Sequence, residues 1–189
     1  MRADAKKNRD HLLAVAGAAI AEQGVDVSLR DIARRAEVGL ATLLRHFPTR
    51  EALLDALLRT GFDELTVKAA ELEASSTPED ALVSWVRDGV AWTTEYRGVT
   101  ALMAAAIEDT ESALHASCFA LRAAGARLLA RAQSAGKARS DIDGADLFAL
   151  IAMLAWLGDQ PSLAPRADRL FGVVASALLT SAESGESAC

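Results

Sequence analysis

Residues 28–53 read SLRDIARRAEVGLATLLRHFPTREAL, and this stretch decides how the chain folds. Ser28 is followed three residues later by Asp31, a capping-box pattern that predicts a helix beginning at Leu29. From Leu29 to Ala36 the apolar residues recur at intervals of three and four, which is the spacing of one face of a helix. The first part of the stretch therefore predicts a short amphipathic helix.

The second part of the stretch predicts a break followed by another short helix. Residues 37–39 interrupt the apolar repeat, and the next helix is predicted from Leu40. It must end near Phe47, because Pro48 forces the residue before it out of helical geometry. Thr49 can then cap a third, longer helix. Two short helices joined by a three-residue break, with basic residues on the second, indicate a helix-turn-helix.

The second of these helices has an inward and an outward face. At about 100° per residue, Leu43 and Phe47 point inward, whereas Ala41 and Arg45 point outward. A small residue permits close approach to a DNA base, and an outward arginine can pair bidentately with guanine in the major groove. The outward face therefore suits a major groove.

This arrangement predicts a set of DNA-contacting residues. They are Ser28, Gly39, Leu40, Ala41, Thr42, Leu44, Arg45, His46 and Arg50. Within the set, Thr42 is expected to reach a base or a phosphate, and His46 and Arg50 are expected to lie at backbone phosphates. The periodicity alone leaves an alternative open, namely two short helices of an ordinary bundle with solvated charges.

Residues 42–53, Thr-Leu-Leu-Arg-His-Phe-Pro-Thr-Arg-Glu-Ala-Leu, resemble a motif in the DNA-binding domain of the TetR family of transcriptional regulators. The resemblance extends over roughly residues 8–58. It implies an all-α fold with an N-terminal three-helix DNA-binding domain that contains the helix-turn-helix. It also implies a C-terminal helical domain for ligand binding and dimerisation, and a first helix that packs behind the two reading helices.

Three residues depart from the pattern of the family. Leu44 stands where relatives usually carry a tyrosine that binds a phosphate. Glu37 stands where they usually carry glycine, and a non-glycine residue in the left-handed conformation costs about 1–2 kcal/mol. Gly39 replaces the usual serine or threonine but remains an acceptable helix cap. These departures bear on operator affinity more than on the fold.

The composition favours helices and a DNA-binding head. Of the 189 residues, 51% are hydrophobic and only 5% are aromatic, which favours closely packed helices over a sheet. Within the formal net charge of −6, residues 1–50 hold nine Lys or Arg and six Asp or Glu, or +3, so the remainder carries −9. A basic head on an acidic body fits a DNA reader whose body stays off the phosphates.

Other classes of protein are disfavoured by the sequence. Cys118 and Cys189 are too few for a disulfide framework, and the three histidines are too scattered for a metal site. The longest apolar run, residues 147–157, is too short to span a membrane, and no signal peptide is recognisable. Since phosphate-binding loops and nucleophile elbows are also lacking, we expect no enzyme activity and no cofactor. The expected location is the cytoplasm.

Helical patterns and turn residues predict the organisation of the whole chain. Residues 1–7 are expected to form a mobile basic arm, and residues 183–189 a disordered tail. The predicted domains are a DNA-binding domain at residues 1–49 and a ligand-binding and dimerisation domain at residues 50–182. Predicted helices cover residues 8–22, 29–36, 40–47, 50–74, 78–96, 99–107, 108–135, 145–158 and 166–181. The helix from Arg50 spans about 35 Å, so it can transmit a signal between the two domains.

An aromatic stripe predicts a pocket for a small molecule. Trp85, Trp92 and Tyr96 share one helical face, and Gly89 leaves a gap between the two tryptophans. The candidate ligand-binding residues are Trp85, Asp88, Gly89, Trp92, Met103, His115, Phe119, Phe148 and Trp156. Because few of them are polar, an apolar or aromatic effector is favoured. The alternative is that such a stripe belongs to the ordinary core.

Two helices are too apolar for the surface of a monomer. The segments at residues 145–158 and 166–181 carry apolar residues on more than one face, which indicates a subunit interface. In the family that this chain resembles, the last two helices form a four-helix dimer interface. We therefore expect a homodimeric repressor that a ligand releases from a palindromic DNA operator. The alternatives are an activator of the same fold and a helical dimer that no longer reads DNA.

Overall fold

The computed structural model describes residues 2–96, 98–112 and 114–180. Within these ranges the fold is all-α, as predicted, with only an isolated β-bridge outside the helices. The helices are α1 (Arg2–Gln23), α2 (Leu29–Arg35), α3 (Leu40–His46), α4 (Arg50–Ser75), α5 (Pro78–Glu95), α6 (Val99–Glu108), α7 (His115–Ser134), α8 (Gly144–Asp159) and α9 (Ala167–Leu178), with a 3₁₀ turn at Ala164–Arg166. No helix in the described part of the chain is both long and apolar enough to cross a membrane.

The described residues form two compact units. The first lies within Met1–Glu64 and Trp92–Leu121, and the second within Leu65–Ala91 and Arg122–Cys189. The boundaries between the units fall inside α4, α5 and α7. The helix-turn-helix belongs entirely to the first unit.

Local capping signals fix the helix starts that the sequence predicts. The Ser28 hydroxyl accepts a hydrogen bond from the Asp31 amide at 3.0 Å, and the Thr49 hydroxyl accepts one from the Ala52 amide at 3.1 Å. At the start of α8, Asp143 and Asp146 form a reciprocal capping box. Each bond satisfies an amide that has no partner within its helix, which is why these starts are predictable from sequence.

The core of the first unit joins α1, the helix-turn-helix and the start of α4. Its largest members with almost no solvent exposure include Leu12 and Ile20 from α1, Ile32 from α2, Leu43 from α3 and Leu53 from α4. Each is an apolar position of its helix, and burying one such side chain contributes about 1.5–3 kcal/mol. This core holds α3 in place against the rest of the unit.

Several predicted boundaries were wrong. The predicted mobile arm is helical from Arg2, so α1 is longer than expected. The helix predicted from Glu108 begins only at His115, because α6 runs on to Glu108 and a turn follows it. The last helix ends at Leu178 rather than at residue 181. The predicted tail, residues 183–189, lies outside the described residues.

The chain after α9 pairs with the segment after α7. Leu179 forms an antiparallel bridge with Ala138. The Arg139 amide donates to the Leu178 carbonyl at 3.0 Å, and the Thr180 hydroxyl donates to the Gly136 carbonyl at 2.7 Å. Gly136 adopts a positive φ of 66° to end α7. These long-range bonds explain why α9 stops short of its apolar pattern.

The turn between α2 and α3 is a Schellman motif with an unusual residue in it. The Glu37 amide donates to the Arg34 carbonyl at 3.2 Å, and the Val38 amide donates to the Ala33 carbonyl at 3.0 Å. Glu37 has a φ of 56°, and it is the only non-glycine residue of positive φ among those described. The strain expected at this position from the sequence is therefore present.

Glu37→Gly should stabilise the protein by about 0.5–1 kcal/mol. Glycine adopts the left-handed conformation without the steric cost of about 1–2 kcal/mol, although its greater freedom in the unfolded chain offsets part of the gain. Urea denaturation of the two proteins measures the difference. Glu37→Ala keeps the Cβ and serves as the control, since it should gain nothing. An equal gain in both variants would assign the effect to the lost charge.

Candidate nucleic-acid interface

The faces of α3 lie as the sequence predicts. Leu43 and Phe47 are buried, whereas Ala41 and Arg45 are exposed. Leu44 is 36% exposed and presents an apolar side chain beside this outward face. The helix thus offers solvent a small residue and a cation one turn apart, which is the arrangement that fits a major groove.

The side chain of Arg45 is held near that of Thr42. A guanidinium nitrogen of Arg45 donates to the Thr42 hydroxyl at 3.1 Å. The bond is exposed, so it orients the arginine without burying it. Ser28 and Gly39 are also exposed, and His46 is half-buried with its ring 6.4 Å from that of Phe47. All the predicted DNA-binding residues, Arg50 included, are therefore accessible wholly or in part.

Arg50 has partners that the sequence does not reveal. Its guanidinium donates to the carbonyls of Val25, of Asp26 at 3.2 Å and of Val27 at 2.6 Å. These three residues lead from α1 into α2, so Arg50 clamps the entry of the helix-turn-helix to the start of α4. A guanidinium is suited to this because it carries five donors and no acceptor. A phosphate contact of the kind predicted for Arg50 would have to compete with this clamp.

A charged network fixes α2 against α1. Arg35 donates to Glu22 on α1 at 2.7 Å and to Asp31 at 2.9 Å, while Arg34 also donates to Asp31 at 2.5 Å. The hydrogen bond from Arg34 and then that from Arg35 hold the pKa of Asp31 below its usual value. The network therefore stabilises the folded protein fully at pH values above the pKa that Asp31 has in the unfolded chain. This stabilisation is lost as the pH falls through the lower pKa that Asp31 has in the folded protein.

The beginning of α1 approaches the end of α3. The guanidinium of Arg9 lies 5.2 Å from the centre of the Phe47 ring, a cation–π contact. Lys6 and Lys7 precede it on the same helix and are exposed. Basic residues that the sequence assigns to a mobile arm, Lys6 and Lys7, are thus carried on a helix that contacts the end of α3.

The candidate ligand-binding residues are divided between the two units. In the second unit, Trp85 is buried and donates its indole N–H to the Leu65 carbonyl at 2.9 Å. Gly89 faces Ile151, whose Cδ1 would lie 3.3 Å from a Cβ at residue 89. The gap predicted at Gly89 is therefore filled by Ile151. Of the remaining candidates in this unit, Asp88 and Phe148 are half-buried and Trp156 is exposed.

The other candidates belong to the first unit. Met103 is buried, and Trp92 is half-buried against Gly61. His115 stacks on Phe119 with ring centres 6.3 Å apart, and Phe119 is largely exposed. Cys118 beside them is buried, and burial, together with the nearby Asp55, raises the pKa of its thiol to about 11. A thiol of this kind is unreactive at neutral pH.

Apolar side chains are exposed on α8 and α9. Met153 and Trp156 on α8 are 45% and 52% exposed, and Val173 on α9 is 61% exposed. Gly172 has nothing within 4 Å of the position of a Cβ. Large apolar residues at this spacing on neighbouring helices mark a surface that another chain can cover.

Among the described residues, no cluster of His, Cys, Asp and Glu is arranged to hold a metal ion.

Comparison with protein families covers most of the chain. A family model described as bacterial regulatory proteins, tetR family, matches residues 12–57. A second model, described as the C-terminal domain of SbtR-like transcriptional regulators, matches residues 77–180. No curated protein sequence matches the chain.

Solved structures of similar proteins extend the comparison to nearly full length. A TetR transcriptional regulator from Streptomyces coelicolor is 34% identical with a TM-score of 0.67, over 92% of this chain and 99% of that one. A TetR transcription regulatory protein from Mycobacterium vanbaalenii is 33% identical with a TM-score of 0.64, over 95% and 99%. The reduced form of NemR from Escherichia coli shares the fold at 16% identity, with a TM-score of 0.68 over 92% and 98%.

Proposed function

This chain belongs to the TetR family of transcriptional regulators, and on that premise we propose that it is a cytoplasmic, homodimeric repressor released from a palindromic operator by a small apolar or aromatic molecule. The observation that carries the DNA-binding part is the outward face of α3, where Ala41 and Arg45 are exposed one turn apart. Leu43 and Phe47 anchor the opposite face of the helix in the core.

In this proposal Arg45 recognises the DNA sequence through a base pair of the operator, and the other contacts position the protein on the DNA. The bond from Arg45 to Thr42 lies on the outward face and aims the guanidinium away from the core. Arg50 acts indirectly, because its bonds to the carbonyls of residues 25–27 set the position of the helix-turn-helix. Phosphates are then contacted by the residues at the ends of α3, including His46.

Arg45→Ala should weaken operator binding by about 1–3 kcal/mol and relax the preference at one base pair. The operator is sought in the DNA that flanks the coding region, and affinity is measured for the operator and for each single base-pair variant of it. Arg127→Ala removes an equal charge from an exposed position in the second unit, and it should leave both properties unchanged. An unaltered base preference in Arg45→Ala would assign specificity to another residue.

The dimer is proposed to form through the apolar surfaces of α8 and α9. Two recognition helices related by a two-fold axis must reach successive faces of the major groove. The half-sites are therefore expected to lie about one helical turn, 34–36 Å, apart or a modest multiple of that distance. A palindrome with this spacing should bind far more tightly than a single half-site.

Repression and activation are distinguished by measuring transcription from a promoter that carries the operator, with and without the protein. A repressor lowers transcription, and an activator of the same fold raises it. The apolar character of the candidate residues, among them Met103, Phe148 and Trp156, supports an apolar or aromatic effector. Failure to bind any flanking DNA at low salt would favour the third alternative, a helical dimer without DNA binding, to which the replacement of the phosphate-binding tyrosine by Leu44 points.

A further inference from the structure

A cavity of about 550 Å³ lies within the first unit between α1, α4 and the end of α5. Of the nine candidate ligand-binding residues, only Trp92 lines this cavity. Tyr96, which lies on the same aromatic stripe of α5, lines it as well, whereas Trp85 does not. One side is formed by small residues of α1, including Gly17 and Ala18. The opposite sides are formed by Leu57 on α4 and by Trp92 and Tyr96.

The aromatic wall of this cavity is fixed by close packing. The rings of Trp92 and Tyr96 lie 5.1 Å apart and are tilted by 51°, and Phe62 backs Trp92 at 5.0 Å. A Cβ at Gly61 would lie 2.1 Å from the indole nitrogen of Trp92, so only glycine admits the ring there. The aromatic wall is therefore held rigid by its neighbours.

The rim of the cavity is negatively charged. Glu64 on α4 and Glu95 on α5 both line it and are exposed. None of its lining residues in the described part of the chain is Lys, Arg or His. Burial raises the pKa of the Tyr96 phenol, and the carboxylates of Glu95 and Glu64 raise it further. Both carboxylates thus act on the same aromatic wall.

This combination selects one class of ligand. An anion would be repelled by two carboxylates, and a neutral molecule would gain no Coulomb attraction from them. A cation is attracted by the carboxylates and by the faces of tryptophan and tyrosine rings. Its apolar substituents can cover Leu57 and the small residues of α1, where burial of apolar area adds affinity.

We propose that this cavity is a binding site for a lipophilic organic cation, with the charged centre held by Glu64, Glu95 and the aromatic wall, and with the apolar groups against Leu57 and the small residues of α1. The site lies in the unit that contains the helix-turn-helix, and of the candidate effector-binding residues considered above only Trp92 lines it. Its occupation requires no DNA, so the proposal stands or falls independently of operator binding.

The test uses two ions of the same shape and opposite charge. Tetraphenylphosphonium and tetraphenylborate are titrated separately into the full-length protein by calorimetry in the absence of DNA. The phosphonium should bind with a stoichiometry of one per chain, and the borate should not bind. Binding of the phosphonium should weaken as ionic strength rises, because the rim carboxylates are exposed to solvent.

Matched variants locate the ion. Glu64→Gln with Glu95→Gln should lower the affinity for the phosphonium by about tenfold, the combined effect expected of two solvent-screened carboxylates. Asp63→Asn with Glu108→Gln removes the same charge from exposed positions of the same unit outside the cavity, and it should change the affinity less than about twofold. Ala18→Leu should block binding while the helical circular dichroism stays unchanged, because an exposed helical alanine tolerates leucine.

Three results would overturn the proposal. They are no binding of the phosphonium, equal binding of phosphonium and borate, and equal loss of affinity in the two charge-removing double variants. The first result would show that the cavity has no affinity for cations. The second would reduce the interaction to apolar contact, and the third to the net charge of the protein.

Discussion

Val173→Asp, combined with Trp156→Asp, should convert the protein into a monomer that binds its operator about 100-fold more weakly or worse. Both side chains are more than half exposed in the single chain and lie on α9 and α8. In a two-fold dimer each substitution appears twice at the interface. An unpaired charge buried there costs about 3–5 kcal/mol, which raises the dissociation constant of the dimer by at least about 100-fold.

The loss of operator affinity follows from the loss of a second attachment. Two linked recognition helices gain about 10²–10⁴ in avidity over one, and the monomer forfeits this factor without any change at the DNA surface. Sedimentation velocity gives the oligomeric state, and mobility shift with a full palindrome and with a half-site gives the affinities. The half-site affinity should stay the same in the variant.

Val67→Asp is the control for this experiment. Val67 lies on α4 and is 59% exposed, against 61% for Val173, so the two substitutions place the same charge at equally exposed valines. Val67→Asp should remain a dimer with full operator affinity. A monomeric Val67→Asp protein, or a dimeric Val173→Asp/Trp156→Asp protein, would move the interface away from α8 and α9.

Leu43→Ala should destabilise the first unit by about 2–5 kcal/mol. Leu43 has no exposed surface and sits among the core residues of α1, α2 and α4. Its truncation removes apolar contacts and leaves a cavity, and the cost depends on how far the surroundings close. Urea denaturation followed by circular dichroism measures the change in the free energy of unfolding.

Leu44→Ala tests whether this loss comes from burial rather than from helix propensity. Leu44 is the next residue of the same helix, but it is 36% exposed, and its truncation should cost less than about 1 kcal/mol. Alanine is at least as good a helix former as leucine, so propensity predicts no loss for either variant. Equal destabilisation by the two substitutions would mean that burial of Leu43 is not what holds α3 in the core.

The sequence was sufficient where a structure is determined by neighbouring residues. The start of α2 follows from the Ser28 hydroxyl and the Asp31 amide, only three residues apart. The end of α3 follows from Pro48, whose ring acts on the residue before it. The left-handed turn at Glu37 is likewise local, since it satisfies carbonyls of the preceding helical turn.

The sequence was insufficient where partners are distant along the chain. Arg50 has the charge of a phosphate ligand, but its bonds to carbonyls some 25 residues earlier cannot be inferred from its neighbours. The gap at Gly89 was read from one helix alone, and the side chain of Ile151, on another helix, fills it. The end of α9 depends on the bridge between Leu179 and Ala138. Each of these three features depends on a tertiary contact.

The clamp formed by Arg50 makes the recognition segment exchangeable. Its acceptors are backbone carbonyls of residues 25–27, so no particular side chain is needed there, and both ends of the clamp lie outside residues 28–46. If Ile32, Leu43 and Arg35, which hold this interval in the core and against α1, are kept, its outward residues can be exchanged for those of related regulators while the attachment to α4 is retained. With the proposed function, operator choice would then reside in these outward residues, and exchanging them should give regulators directed to new DNA targets.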